Sequence, residues 1–358
     1  MTEIDTEAPV CVTGASGYIA GWIVRYLLEA GHTVHATVRN PAKPSAVAHL
    51  ERIAAETPGT LHLFAADLNT PGSFDAAVAG CQLVMHTASP FVLSGYRDAE
   101  SALVRPAVEG TRNVLAAVDR TPSVRRVVLT SSVAAVFGDN IDIRDTPAGV
   151  FTEAQWNASS SVRHNPYQYS KAAAERVAWD ICARQDRWDL VAINPAMVFG
   201  PSLTASSQSG SIDTLVQLGD GRLRDGVPRL SMGVVDVRDV AQAHLLAGSR
   251  PDAEGRYILC AGTRTMLQMA TNLRSRFGDR YRFPRRELPK SLVWLVGPLK
   301  GPVTRRFVTR NVGIPLRFDS GRSKALGIRY REPEKTIAEH FEQAVRDGLL
   351  SRDRRAAA

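Results

Sequence analysis

Along the first two hundred residues, short apolar runs alternate with segments whose apolar positions recur every three or four residues. Residues 10–13 read as a strand that breaks at Gly14. From Tyr18, apolar positions at Ile19, Ile23, Leu27 and Ala30 keep a helical period that ends at Gly31. Further strands are expected at 33–38, 61–65, 83–87, 126–130 and 190–194. Between them, 97–119 reads as one long helix and 166–184 as another.

Strand–helix repeats of this kind imply parallel strands joined by right-handed crossovers. The expected fold class is therefore α/β, a doubly wound parallel sheet with helices on both faces. After Pro201 the pattern loosens. Residues 201–211 read as a polar loop, 237–247 as a helix, 256–260 as a strand and 264–277 as a helix. Residues 279–315 are rich in Arg and Pro around an apolar centre, and a last amphipathic helix is expected at about 334–349. The expected organisation is a nucleotide-binding domain at 9–200 that also receives 235–265, a smaller substrate-binding and lid region at 201–350, and a frayed tail at 351–358.

Composition adds one question. The chain has 358 residues, 44% hydrophobic and 22% charged, with a formal net charge of +8. A nucleic-acid or membrane partner would fit such a balance if the charge were general. It is not: 281–358 holds 18 Lys/Arg against 8 Asp/Glu, so the first 280 residues carry a net −2. No nucleic-acid-binding module is recognisable, and charge alone gives only non-specific attraction. Cys11, Cys81, Cys182 and Cys260 are too far apart for a zinc spacing, so free thiols and no metal are expected. The acidic start MTEIDTEAPV does not read as a secretion signal. The apolar stretch 292–299 is too short to span a bilayer and contains Gly297 and Pro298. A cytoplasmic protein, monomeric or homodimeric, is expected.

The candidate chemistry begins after the first strand, in Thr13-Gly14-Ala15-Ser16-Gly17-Tyr18-Ile19. Gly14 suits a tight turn, and Gly17 lets a pyrophosphate approach the N–H groups of a helix start. A structural turn also accounts for two glycines, but the order strand, glycines, helix is that of a dinucleotide-binding Rossmann unit. An acid usually ends the second strand of an NAD-specific site. Here Arg39 stands there, with Lys43 four residues on, which matches a 2′-phosphate and NADP(H). Asp67 and Leu68 end the third strand, suited to an adenine, and Thr87, Ala88 and Ser89 end the fourth with small side chains.

The fifth strand ends in Thr130-Ser131-Ser132, and Tyr167 and Lys171 follow as an i, i+4 pair on a helix. A lysine ammonium beside a phenol is expected to lower the phenol's pKa and ready it to protonate a carbonyl oxygen. Ser132 can donate a second hydrogen bond to the same oxygen.

That order of motifs resembles the extended short-chain dehydrogenase/reductases. Within them it is most similar to the branch of dihydroflavonol reductases, cinnamoyl-CoA reductases and yeast-type aldehyde (methylglyoxal) reductases. The likeness is carried by VTGASGYIAGWIV (12–24), ATVRNPAK (36–43), HTASP (86–90), VEGTRNVL (108–115), VVLTSSVAAV (127–136), YQYSK (167–171), NPAMVFGP (194–201) and VDVRDVAQAHLLA (235–247). The resemblance implies a catalytic set of Ser132, Tyr167 and Lys171, with Lys171 and Tyr167 also on the nicotinamide ribose. It implies Pro195 and Val198 along the nicotinamide, and 208–211, ending in Ser211, near the cofactor phosphates. Asn113 matches a family helix position, where a structural role is expected.

The implied activity is an NADPH-dependent, reversible reduction of an aldehyde or ketone. The alternatives are a 3β-hydroxysteroid-type dehydrogenase, a sugar-nucleotide epimerase and a non-catalytic NADP-binding sensor. Dihydroflavonol reductases place an amide side chain shortly after the serine, whereas 133–137 here is VAAVF. Sugar-nucleotide dehydratases carry an acid pair around the serine, and 130–134 has none. Phe91, Val133, Ala134, Phe137 and Met197 are expected to line an apolar substrate pocket. The basic segment 279–310 is open to three readings: a lid or membrane-surface element, an oligomer contact, or a packed helix with solvated flanks.

Overall fold

The computed structural model describes residues 7–90, 98–204, 209–300 and 303–350. Its main sheet holds β1 (Val10–Thr13), β2 (Thr33–Val38), β3 (Thr60–Ala65), β4 (Leu83–His86), β5 (Arg126–Thr130) and β6 (Asp189–Pro195). A smaller part is built from β7 (Met197–Phe199), β8 (Val227–Pro228), β9 (Ser231–Asp236), β10 (Gly255–Leu259), β11 (Gly262–Thr265) and β12 (Glu287–Leu288), of which β10 joins the main sheet. The main sheet runs β10-β6-β5-β4-β1-β2-β3, and every pairing in it is parallel.

Strand alternation sorts the core. Val10 and Val12 face one layer, with α1 (Tyr18–Glu29), α2 (Pro44–Ala55) and, from later in the chain, 237–249. Cys11 faces the other, with α3 (Asp75–Val78), α4 (Arg105–Arg120) and α5 (Pro166–Cys182). One strand thus feeds two hydrophobic layers, as the period of two requires. A third cluster lies under the three-stranded sheet β11-β9-β7. It is closed by α6 (Gly210–Gly219), α8 (Met266–Phe277) and the C-terminal helix at 333–346, with Phe199, Leu215, Met269 and Phe341 at its centre, whereas α7 (Val237–Ser249) belongs to the first layer.

The doubly wound parallel sheet stands as expected, and several details differ. The fourth strand stops at His86, one residue short of 83–87, because Thr87 turns to bond Thr13. The helix expected at 97–119 opens with a π-helical stretch, Glu100–Val104, before α4; Arg97 lies outside the described residues. The polar stretch at 201–211 ends in the first turn of α6, capped by the Ser209 hydroxyl. Residues 264 and 265 belong to β11, antiparallel to β9, and the helix starts at Met266. Within 279–315 the apolar centre is α9 (Lys290–Lys300), followed by α10 (Arg305–Asn311). A short helix, α11 (Gly321–Ala325), and the long amphipathic α12 (Pro333–Arg346) follow, and 351–358 lies outside the described residues. Cys11, Cys81 and Cys260 are buried free thiols and Cys182 is half-buried. Among the described residues no group of side chains is placed to hold a metal, and no helix is long and apolar enough to cross a membrane.

Candidate active site

Strand order reverses between β1 and β4, and a cleft of about 740 Å³ opens beside the C-terminal ends of these strands. Crevices at such switch points are where open α/β sheets take ligands. Gly14 makes the first turn at φ +67°, with its N–H donated to Thr37 Oγ1 at 3.1 Å. A Cβ on Gly14 would sit 2.9 Å from Ala88 Cα, so only glycine lets these two loops meet. Gly17 caps α1 with no side-chain acceptor, and no acid occupies the first turn. The free N–H groups of that turn therefore favour an anion.

Thr13 organises the floor. Its hydroxyl accepts from the N–H groups of Thr87 (3.1 Å) and Ala88 (3.0 Å). Its own proton is then free to go to His86 Nδ1, 3.0 Å away, which makes that nitrogen an acceptor and the ring neutral. Burial, helped by the Lys171 charge, pushes His86 down to about 3, in accord with that tautomer.

Ser16, Arg39, Lys43, Asp67, Leu68, Thr87, Ala88 and Ser89 all line the cleft. Arg39 and Lys43 are exposed at its rim, and Lys43 caps α2, whose first turn carries no acid. Asp67 holds its own loop by accepting from Asn69 at 2.8 Å. Asn113 donates to the Leu68 carbonyl at 2.7 Å, the structural part expected of it. Ser45 and His49 also line the cleft and were missed in the sequence. Their i, i+4 spacing behind Pro44, a residue that favours a first helical turn, was the available signal. Tyr18 also reaches the cleft, but its hydroxyl is donated to the Gly200 carbonyl at 2.6 Å and its ring stacks on His340. That leaves its backbone for a ligand. Ile19 is half-buried against the first hydrophobic layer.

Tyr167 and Lys171 stand at the Ser89 end of the cleft. Lys171 Nζ donates to Ser89 Oγ at 2.9 Å and lies 5.9 Å from the centroid of the Tyr167 ring. Ser132 follows β5 by two residues and caps the short turn Val133–Ala135, its Oγ accepting from the Ala134 N–H at 3.1 Å, and α5 packs against this turn. The expected lowering of the phenol pKa is not found. Burial pushes Tyr167 up to about 12 and Lys171 down to about 8. The ammonium is spent on Ser89 and weakened by its surroundings, so desolvation of the phenolate wins. The phenol therefore stays protonated at neutral pH.

Beneath this pair, Glu175 continues the face of α5 one turn on. It is buried and accepts from Arg256 Nε (2.6 Å), Asn194 Nδ2 (2.7 Å), Trp179 Nε1 (3.2 Å) and the Ser131 hydroxyl. Asn194 Nδ2 also donates to the Ser132 carbonyl at 3.1 Å. The network bolts the Tyr/Lys helix to the strand that carries the serine. Glu175→Ala should cost about 3–5 kcal/mol, because it leaves Arg256 charged, buried and unpaired. Urea unfolding checks this, and a loss below about 1 kcal/mol would contradict it.

In the turn after Ser132, Val133 is half-buried and Ala134 buried. The half-buried Phe137 ring stands 4.8 Å from Phe151 and 5.6 Å from Phe318, an aromatic stack behind the serine turn. Pro195 is buried at the end of β6. Val198 pairs with Val235 in the small sheet, and Met197 packs on the third cluster. Ser211 is buried, its Oγ 2.9 Å from Ser209 Oγ. Phe91 and Gln208 lie outside the described residues.

A family model described as the NAD dependent epimerase/dehydratase family matches residues 10–260. A cinnamoyl-CoA reductase of Medicago truncatula is 42% identical over 264 residues, covering 72% of this chain and 78% of that protein. Tetraketide alpha-pyrone reductase 1 of Arabidopsis thaliana is 34% identical over 352 residues, covering 96% and 98%. Among solved structures, the yeast methylglyoxal/isovaleraldehyde reductase complexed with NADPH superposes with a TM-score of 0.76 at 28% identity, over 95% of this chain and 99% of that one.

Proposed function

The chain belongs to the NAD dependent epimerase/dehydratase family, and we propose that within it the protein is an NADPH-dependent carbonyl reductase that turns an apolar aldehyde or ketone into the alcohol, reversibly. The observation that carries this reading is the Lys171–Ser89 hydrogen bond, which fixes the Tyr/Lys helix at the mouth of the glycine-bounded cleft. The cleft fits the nucleotide: a bare helix start that would take the pyrophosphate, two cations and no acid at the end of β2, and Gly14, whose missing Cβ lets its loop close on Ala88. When bound, NADPH supplies the hydride. Gly17 and the start of α1 hold its pyrophosphate, Arg39 and Lys43 its 2′-phosphate, and Lys171 its nicotinamide ribose.

Tyr167 delivers its proton to the carbonyl oxygen as negative charge grows there, and Ser132 turns its hydroxyl to the same oxygen. Lys171 stays charged beside them and favours the phenolate left behind. Val133, Ala134 and Phe137 offer the substrate carbon surface and no hydrogen-bond partner, which supports an apolar substrate over a polyhydroxylated one. NADPH oxidation followed with aldehydes, β-ketoesters and sugar nucleotides tests the reading. Turnover on aldehydes or ketones is expected. Tight NADPH binding with no turnover would make the protein a sensor, and turnover on sugar nucleotides alone an epimerase.

The pH dependence follows from Lys171. Its ammonium carries a proton below about 8 and loses it above. In the unfolded chain a lysine titrates near 10.4, so burial of the ammonium costs stability most below about pH 8, and the cost fades as pH rises toward 10.4. Activity runs the other way. The value of kcat/KM for NADPH, which reports the free enzyme, should be level below about pH 8 and fall above it. A flat profile through pH 10 would contradict this assignment.

A further inference from the structure

The helix α9 leaves its apolar side uncovered. Leu292, Leu295 and Leu299 are 44%, 58% and 83% exposed, and their i, i+3, i+7 spacing sets them along one face. Trp294, 41% exposed, stands under the Arg305 guanidinium at 4.5 Å. No other large hydrophobic residues among those described are comparably exposed except Leu349. A soluble surface does not keep such a row without a use.

The surroundings of the row are cationic. The segment 281–310 holds eight Lys/Arg and one acid, Glu287. Glu287 lies 3.9 Å from Arg229, and Asp279 pairs with Arg285, so neither neutralises the helix. Arg305 sits on Trp294, and Lys290 Nζ donates to the Thr309 carbonyl. Arg310 is drawn inward, onto Asp139 and Asp142. With Asn311, which bonds Asp139 and Asn140, it fixes α10 to the loop that follows the serine turn. α10 is therefore firmly seated, and α9 is held to it by the Lys290–Thr309 hydrogen bond and the Arg305–Trp294 contact.

We propose that α9 docks this protein on an anionic lipid bilayer, with Leu292, Leu295 and Leu299 entering the headgroup boundary and the flanking cations facing acidic lipids. Charge decides between this occupant and a second copy of the chain. Two α9 faces brought together would oppose cationic flanks on both sides, whereas an acidic lipid surface is complementary to them. The helix is too short to span, so the contact is peripheral and salt-sensitive.

The test uses the full-length protein and co-sedimentation with vesicles of phosphatidylcholine, with and without phosphatidylglycerol. The bound fraction at fixed lipid should be at least about tenfold higher with phosphatidylglycerol and should fall severalfold in high salt. The pair Leu295→Glu and Leu299→Glu should lose at least about tenfold of that binding. Unchanged NADPH binding in this variant certifies its fold, because neither position touches the cleft. Equal or absent binding to the two vesicle types overturns the proposal. So does a concentration-dependent dimer that the same double variant makes monomeric while the parent ignores lipid.

Discussion

Tyr167→Phe is expected to lower kcat by about 10²–10⁴-fold while leaving NADPH affinity within a factor of about two. The ring that fills the space is kept; the phenol proton that would pass to a developing alkoxide is removed. Tyr167 is suited to that loss because burial holds its proton on, with a pKa pushed up to about 12, so at neutral pH almost every molecule carries the donor. Lys171 is turned toward Ser89 and lies 5.9 Å from the Tyr167 ring centroid, so the ammonium does not hold the phenol proton. Steady-state rates and fluorescence titration of NADPH separate the two parameters. Undiminished turnover would remove Tyr167 as the proton donor.

Arg39→Asp should move the preference from NADPH toward NADH by more than about tenfold in kcat/KM. The guanidinium lines the cleft at the end of β2 and is exposed, so its replacement disturbs no packing. The substitution removes a fork that matches a phosphate and places a carboxylate where the phosphate must lie. The same carboxylate can accept from the 2′-hydroxyl of NADH, so the two effects add in one direction. The remaining attraction from Lys43 sets the residual use of NADPH. An unchanged ratio would mean that the 2′-phosphate is held elsewhere, with Ser45 and His49 the next residues to vary.

The order of β1 to β6, the glycine turn and the Tyr167/Lys171 pair were legible because each is a local signal. Val10, Cys11 and Val12 alternate, and the alternation alone assigns two of them to one layer and one to the other. The small sheet was not legible. Its three strands come from 197–199, 231–236 and 262–265, and no periodicity within any of them reveals that they pair across such separations. The π-helical opening before α4 escaped for a related reason, since an apolar period of three to four does not distinguish it from an α-helix. The direction of the Tyr167 shift also lay beyond the sequence. The i, i+4 spacing places a cation near the phenol, but how deeply both are buried is a tertiary fact, and burial proved the larger influence. Glu175 is a fourth case: it reads as an ordinary helix acid, and only the fold brings Arg256, Asn194 and Ser131 around it.

Hydride transfer to a carbonyl carbon is the centre of this account, and an isotope experiment reaches it directly. The protein is given an apolar aldehyde and NADPH deuterated at the transferable position, and the alcohol is examined by mass spectrometry and proton NMR. One deuterium on the carbinol carbon, absent from the product of Tyr167→Phe within the same time, is the result expected. Consumption of NADPH with no deuterated alcohol, or no consumption with NADPH tightly bound, would contradict it.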